Sequence, residues 1–317
     1  MIKTEHKYIE ILRILKDYQE PMGAKRLSEL LAERGYVMTD RAVQYYLRYL
    51  DTRGFTEKVG NQGRILTNTG INETDRALVE DRIGFVISKL ERLAFRSTFD
   101  PDTSTGDVAY NLTVVPDEDL HTVMGVFERV RDSGCSFFRS YGLLDRDPRI
   151  PSGHTGILTV CSITMDGVFQ HNGIPVKMAY GGTIRLAEGK PVEFVDLIGY
   201  QGSTVDPLQL FINSGLTAIG QFIRDGNGVL LANIRQIPGS AGDRASDLIS
   251  RMQGCGFRFP LMMGRGQIFN LATDPNRISL VSYSGMNSIG YAAEEGFKVK
   301  TEIGAGTIPF SRILDYQ

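Results

Sequence analysis

Arg41, Gln44, Tyr45 and Arg48 stand on the polar side of one short stretch, TDRAVQYYLRYLDTRG, residues 39–54. Guanidinium and amide groups are what base edges in the major groove of DNA reward, because each can make two hydrogen bonds at once. The chemistry on offer is recognition of duplex DNA, or else the solvated side of an ordinary helix. In either case the stretch must be a helix. Val43, Leu47 and Leu50 recur at spacings of four and three, which places them on one buried face. Thr39 is positioned as an N-cap whose hydroxyl can accept from an otherwise unpaired N–H, and Gly54 supplies the stop.

Two further helices must hold this one. The first is expected from about Glu5 to Tyr18, turning either Ile9, Leu12 and Leu15 or Ile11 and Ile14 inward. The second is expected from Ala24 to Arg34, with Leu27, Leu30 and Leu31 apolar and Gly35 ending it. After Gly54, the runs Phe55–Val59 and Arg64–Thr67 flank Gly60-Asn61-Gln62-Gly63 and read as a β-hairpin. Three helices and a hairpin are the winged helix-turn-helix plan, in which the third helix enters the major groove and the hairpin reaches phosphates or the minor groove. Lys58 and Arg64 are the wing candidates. The Leu66-Thr67-x-x-Gly70 ending also resembles winged-helix transcription factors. The competing reading is a three-helix interaction or dimerisation module with a basic surface.

The head is placed at residues 1–72, since Thr69–Asp81 is polar and rich in turn signals. Residues 73–98 form a linker, with a helix expected from Asp81 to about Arg96. Ile83, Val86, Ile87, Leu90 and Leu93 share one face of it, which either docks on the next domain or pairs two chains. At 317 residues the chain has room for two domains, and its net charge of -2 argues against bulk nucleic-acid binding. The charge is uneven. Residues 1–70 carry twelve Lys/Arg against nine Asp/Glu, and the remainder carries 23 against 28. A mildly basic head on an acidic body suits a small DNA reader joined to something else. The apolar runs are too short to span a bilayer and the charged N-terminus is unlike a signal peptide, so a cytoplasmic protein is expected. Three cysteines make no disulfide framework.

Residues 99–317 hold an internal repeat. VAYNLTVVP from Val108 and LLANIRQIP from Leu230 share Asn, aliphatic and Pro positions 122 apart, as in Asn111 and Asn233. Helical patterns follow each, ending at Gly134-Cys135 and Gly254-Cys255. GILTVCSITMDG from Gly156 then faces RISLVSYSGMNS from Arg277, pairing Val160 with Val281 and Cys161 with Ser282. Gly181-Gly182-Thr183-Ile184 corresponds to the run Gly304–Ile308. The expected fold is α+β: a winged helix-turn-helix followed by a duplicated, pseudo-symmetric α/β domain. Its two halves are placed at about 106–186 and 226–308. A groove between such halves is where a small ligand usually binds; alternatively the duplication builds only a dimeric platform.

Catalytic constellations are absent. There is no phosphate loop, no dinucleotide fingerprint and no nucleophile elbow. His6, His121, His154 and His171 lack metal-ligand spacing. Cys135 and Cys255 read as core thiols, and Cys161, beside three hydroxyl residues, as either a pocket or a buried strand residue. The chain is expected not to be an enzyme, and to need no cofactor or metal.

The segments IPSGHTGILTVCSITMDGVFQHNGIPVK, PVEFVDLIGYQGSTVDPLQLFINSGLT and GNGVLLANIRQIP resemble the regulatory domain of the archaeal nitrogen-responsive repressors called NrpR, and the head resembles that family's winged helix. The resemblance implies a repressor of nitrogen-assimilation genes that binds an inverted-repeat operator as a homodimer and is released by 2-oxoglutarate. It implies a dianion pocket, for which Arg235 is the carboxylate partner, with Cys161, Ser162, Thr164 and a Gly181-Gly182 turn as neighbours; a structural ion pair is the other reading of Arg235. Many members carry two regulatory domains, whereas this chain has room for one, so a second regulatory-domain chain is a further expected partner. The alternative is a DNA-binding protein whose body only dimerises or recruits a partner.

Overall fold

A computed structural model describes residues 4–76 and 85–314. They fall into two compact units that divide between Ile83 and Gly84.

In the first unit, α1 (Thr4–Tyr18), α2 (Ala24–Glu33) and α3 (Asp40–Thr52) pack around Leu12, Leu27, Leu31, Val43, Leu47 and Leu50, all fully buried. Both expected stripes of α1 are buried, since Ile9, Ile11, Ile14 and Leu15 are each at most 2% exposed. An apolar side chain buried to this degree contributes roughly 1.5–3 kcal/mol, and burying both stripes makes α1 the central helix. Thr39 caps α3, its Oγ1 accepting from Ala42 N at 3.3 Å. Strands β1 (Thr56–Val59) and β2 (Gly63–Leu66) form the hairpin, and Met22 adds a short third strand by exchanging backbone hydrogen bonds with Arg64.

The expected turn after residue 69 is instead a helix, α4 (Asn68–Arg76), so the first unit runs past residue 72. Thr67 makes the difference. Its Oγ1 accepts from Gly70 N at 3.1 Å and donates to Gly54 O at 2.6 Å, capping α4 and tying it to the end of α3. A Cβ on Gly70 would lie 2.0 Å from Phe55 O, so only glycine fits there. The Leu66-Thr67-x-x-Gly70 run is thus a cap plus a close approach, and the polar composition of α4 hid it.

The second unit opens with α5 (Phe85–Arg96), which packs on α7 and on strands of the body with Val86, Leu90, Leu93 and Ala94 buried. Docking on the following domain is therefore what this helix does; Ile83 lies outside the described residues. The first repeat supplies β3 (Asp107–Pro116), α6 (Leu120–Asp132), β4 (Tyr141–Leu144), β5 (His154–Val160), α7 (Ile163–His171) and β6 (Lys177–Ala187). After β7 (Lys190–Gly199), α8 (Pro207–Asn213) and α9 (Ile219–Asp225), the second supplies β8 (Gly228–Pro238) and α10 (Gly242–Gly254). Three short strands follow, β9 (Met262–Gly264), β10 (Gln267–Ile268) and β11 (Leu271–Ala272), then β12 (Arg277–Tyr283), α11 (Asn287–Glu294) and β13 (Lys300–Pro309).

The two halves are not separate bodies. One antiparallel sheet runs β13-β3-β5-β4 and the other β7-β6-β8-β12-β9, so each repeat gives its last strand to the other's sheet. The helices cross as well: α6 packs on α11, and α7 on α10. Residues of both repeats accordingly share each core, as Phe127 does with Leu230 and Ile289, and Val168 with Leu248.

The repeat register also needs correction. Cys161 N donates to Ala109 O at 2.8 Å and Thr164 Oγ1 accepts from Ala109 N at 3.0 Å. Ser284 N donates to Leu231 O at 3.0 Å and Asn287 Oδ1 accepts from Leu231 N at 2.8 Å. Cys161 therefore corresponds to Ser284, not Ser282. A slip of two residues leaves every strand side chain on its original face, so alternation could not reveal it.

Candidate functional site

The head presents one polar helix face. Arg41, Gln44, Tyr45 and Arg48 of α3 are all exposed, Tyr45 by 65%, on the side opposite Val43, Leu47 and Leu50. Thr39 is exposed too, but its hydroxyl is engaged as the cap. Arg53, the C-cap of α3, lies 5.2 Å from the Tyr49 ring centroid. In the turn before α3, Val37 is 90% exposed, and an apolar group there could meet a thymine methyl; no periodicity marked it. The two wing candidates differ. Lys58 is exposed, whereas Arg64 donates from Nε to Asp51 Oδ2 at 3.0 Å, beside the Thr56–Asp51 hydrogen bond. Arg64 thus pins the wing against α3 through its Nε, a structural role beside its place as a wing candidate.

In the body, a small cavity of about 10 Å³ lies where the repeats meet, at the ends of β5 and β12. Both halves wall it with equivalent residues: Cys161, Ser162 and Ile163 at the start of α7, and Ser284, Gly285 and Met286 at the start of α11. The positive ends of two helix dipoles therefore converge on it. Arg235 forms the floor from β8 and is 1% exposed. Its Nε and Nη2 donate to Asp166 at 3.1–3.2 Å, and Nη2 also donates to Ser162 Oγ at 3.1 Å. Arg235 Nη1 is buried without a hydrogen-bond partner, as is Asn233 Nδ2. Tyr200 donates to Asn233 Oδ1 at 2.9 Å, with its ring centroid 5.9 Å from the guanidinium.

Burial pushes the Asp166 carboxyl upward, against the pull of Arg235. Burial also raises Asp206, which caps α8 by accepting from Leu208 N at 2.9 Å and lines the cavity. The Cys161 thiol is pushed up to about 11 by burial, which leaves it protonated and inert at neutral pH. A buried guanidinium with a spare N–H between two helix N-termini can take one carboxylate oxygen. Asp166 already neutralises that guanidinium, and a five-carbon dianion requires the cavity to open.

Of the residues expected to meet an effector, Cys161, Ser162 and Arg235 do come together. Thr164 is spent on the backbone of Ala109, so it supports the wall. Gly181 and Gly182 are not in a turn but inside β6, where Gly181 lies against the Tyr200 hydroxyl and Gly182 against the Asp196 carbonyl. Sequence reasoning missed Leu90, Asp166, Tyr200, Asp206 and Ile303. Only Asp166 left a signal, being an acid inside the otherwise apolar run ITMDGVF, where a carboxylate must find a partner. Among the described residues no group of His, Cys, Asp and Glu is placed to hold a metal, and no helix is long and apolar enough to cross a membrane.

Comparison with known proteins places this geometry. The family described as NrpR regulatory domains NRD1 and 2 matches residues 83–315, and a ribonuclease R winged-helix domain matches residues 9–74. The global nitrogen regulator NrpRI of Methanosarcina mazei is 36% identical over 320 residues, covering 99% of this chain and 97% of the relative. The global nitrogen regulator NrpR of Methanocaldococcus jannaschii is 34% identical over 74% of this chain and 42% of its own length. That of Methanococcus maripaludis is 30% identical over 94% and 53%. The chain thus spans nearly all of the first relative and about half of the other two. A crystal structure of a nitrogen repressor-like protein from Methanococcus jannaschii superposes with a TM-score of 0.63 at 21% identity, over 73% of this chain and 98% of that one, so the two share a fold. These relatives are regulators and not enzymes, and with the regulatory-domain match and the Methanosarcina alignment both extending over most of its length, this chain belongs to the NrpR family of global nitrogen regulators.

Proposed function

We propose that this chain is a cytoplasmic repressor of nitrogen-assimilation genes that grips an inverted-repeat operator as a homodimer and releases it when 2-oxoglutarate enters the cavity between the repeats. In this reading α3 supplies the base and backbone contacts, and two copies are needed because four side chains on one helix are too few to specify a site. The observation that carries the sensor half is Arg235, whose Nη1 is buried and unpaired at a cavity shared by both repeats. The effector acts by population shift. It must bind the arrangement that cannot hold DNA better than the one that can, or it changes nothing. A separate chain carrying a further regulatory domain is a second expected partner, in keeping with two relatives of which this chain covers only about half.

The competing reading, a body that only dimerises or recruits, is favoured by the closed Arg235–Asp166 pair and the small cavity. Isothermal titration of the full chain with 2-oxoglutarate separates the two. Saturable binding that Arg235→Met abolishes supports the sensor, and no heat at millimolar ligand leaves the platform.

A further inference from the structure

The cavity is closed on one side by α5, the first described helix of the body. Leu90 of α5 and Ile303 of β13 both line it. Lys89, the neighbour of Leu90, donates from Nζ to Ile303 O at 2.9 Å and pairs with Glu302 at 3.3 Å. These contacts fall on a bulge, because the pairing of β13 with β3 shifts register between Glu302 and Gly306. At the centre of the bulge, Gly304 N donates to Asn111 Oδ1 at 3.1 Å, and Asn111 also lines the cavity. Gly304 is left-handed with φ 56°, and a Cβ there would lie 2.8 Å from Leu93 Cδ1. Further along α5, Ala94 and the following Ser97 sit directly on Gly167, next to Asp166. One helix therefore touches the cavity, the bulge that walls it and the helix that carries the counterion of Arg235.

We infer that α5 is the lid of the effector cavity and that lifting it is the signal passed to the head. This rests on the sensor reading above. The cavity is too small for a dicarboxylate while α5 is down. About 10 Å³ holds a single water-sized body. A dicarboxylate can enter only by displacing a wall, and strands β5, β8 and β12 are held on both sides by sheet pairing. The α5 wall has no strand pairing: Lys89 holds it on the bulge, Leu90 and Leu93 pack against the bulge, and its last turn rests on Gly167 of α7. It is also the segment whose N-terminal end leads, through residues 77–84, to the DNA-binding unit. Lid closure and ligand binding are then competing events, and by linkage anything that loosens α5 must tighten effector binding and weaken the DNA-competent state.

The test uses the full chain, its Lys89→Ala and Leu93→Ala variants, and a duplex selected by the wild-type chain from a random library. Lys89 is partly exposed, so its variant folds, and a far-UV circular dichroism melt checks Leu93→Ala. Loosening α5 should lower the apparent Kd for 2-oxoglutarate about three- to tenfold, as expected from weakening one or two of the contacts that hold the lid closed. It should also weaken duplex binding without ligand, and hydrogen exchange over residues 85–96 should rise when wild type is saturated with 2-oxoglutarate. If wild type binds 2-oxoglutarate while exchange over 85–96 and both variant affinities stay unchanged, the lid is refuted and the sensor reading stands. If wild type binds none, the 2-oxoglutarate reading fails, and the ligand-free duplex affinities decide: weaker binding by both variants supports the coupling, and equal binding overturns it.

Discussion

Replacing Asp166 by Asn tests what holds the cavity together. Arg235 and Asp166 are 1% and 0% exposed and joined by three nitrogen–oxygen contacts of 3.1–3.2 Å. Asn keeps the shape of Asp166 but removes the charge, leaving a buried guanidinium with only the Ser162 hydroxyl and a neutral amide oxygen. A guanidinium cannot escape by losing a proton, so the cost is that of an uncompensated buried charge, about 3–5 kcal/mol. Arg235→Met is milder, because the Asp166 carboxyl, already pushed upward by burial, can take up a proton and become neutral. In that variant the folded-state pKa is raised above the unfolded one, so its stability is highest at low pH and is lost as pH rises through the folded value. Replacing both, Asp166→Leu with Arg235→Met, removes the charge problem and should cost far less than the two single changes summed. The chain has no tryptophan, so far-UV circular dichroism in urea is the assay, with the transition of the body taken separately from that of the head. Asp166→Asn should move its midpoint down by roughly 1–2 M. A loss below about 1 kcal/mol, or a double variant as damaged as the sum, would refute the closed-pair reasoning.

Arg41→Ala with Arg48→Ala should lower duplex affinity roughly 30-fold or more while leaving far-UV circular dichroism unchanged, since both side chains are exposed and outside the core; unchanged binding removes α3 as the reading helix. Lys58→Ala and Arg64→Ala should separate in kind. The former reduces the salt slope of DNA binding by about one with no loss of stability, whereas the latter costs the head about 1 kcal/mol through the lost Asp51 pair. Equal effects from both in a salt titration and a melt would place Arg64 on the DNA as Lys58 is. The Cys135 and Cys161 thiols, each pushed up to about 11 by burial, should resist a thiol reagent at pH 8 until the chain is unfolded. Their folded values lie above the unfolded one, so the stability they contribute is intact below pH 9 and falls as pH climbs from about 9 to 11. A flat alkaline melt series would contradict this.

The head was legible almost residue by residue because its determinants are local. Thr39 as cap, the Val43-Leu47-Leu50 stripe and the Gly/Asn hairpin each act within a few residues. Where it was incomplete, at α4 and Arg64, the deciding contact ties distant parts of the chain: Thr67 to Gly54 O, and Arg64 to Asp51. In the body the repeat showed itself through Asn111 and Asn233, which satisfy backbone or hydroxyl groups near the meeting point. The exchange of β6 and β13 between sheets left no trace, since an exchanged strand keeps the same alternation as one that stays home. Asp206, Tyr200 and Leu90 reach the cavity from elements outside both repeats, and no spacing rule could bring them there.

The cavity is chemically lopsided. The duplication builds a hole with two equivalent sides, each a strand end turning into a helix start. Yet Asp166 stands where the second repeat has Ile289, and Arg235 where the first has Thr113. Ile289 is core packing, and the Thr113 hydroxyl is 3.1 Å from that of Thr301. Charge has been placed on one side only. The other side offers Ser284 and Gly285, with Gly285 so close to Val160 that a Cβ would lie 2.3 Å from its carbonyl oxygen. A carboxylate near Arg235 would meet a guanidinium N–H, and a group on the opposite side would meet a hydroxyl and the start of α11. In the sensor reading this suits 2-oxoglutarate, whose two ends differ, because a keto oxygen sits beside one carboxylate only. A fully symmetric pocket would have no means of fixing which end goes where.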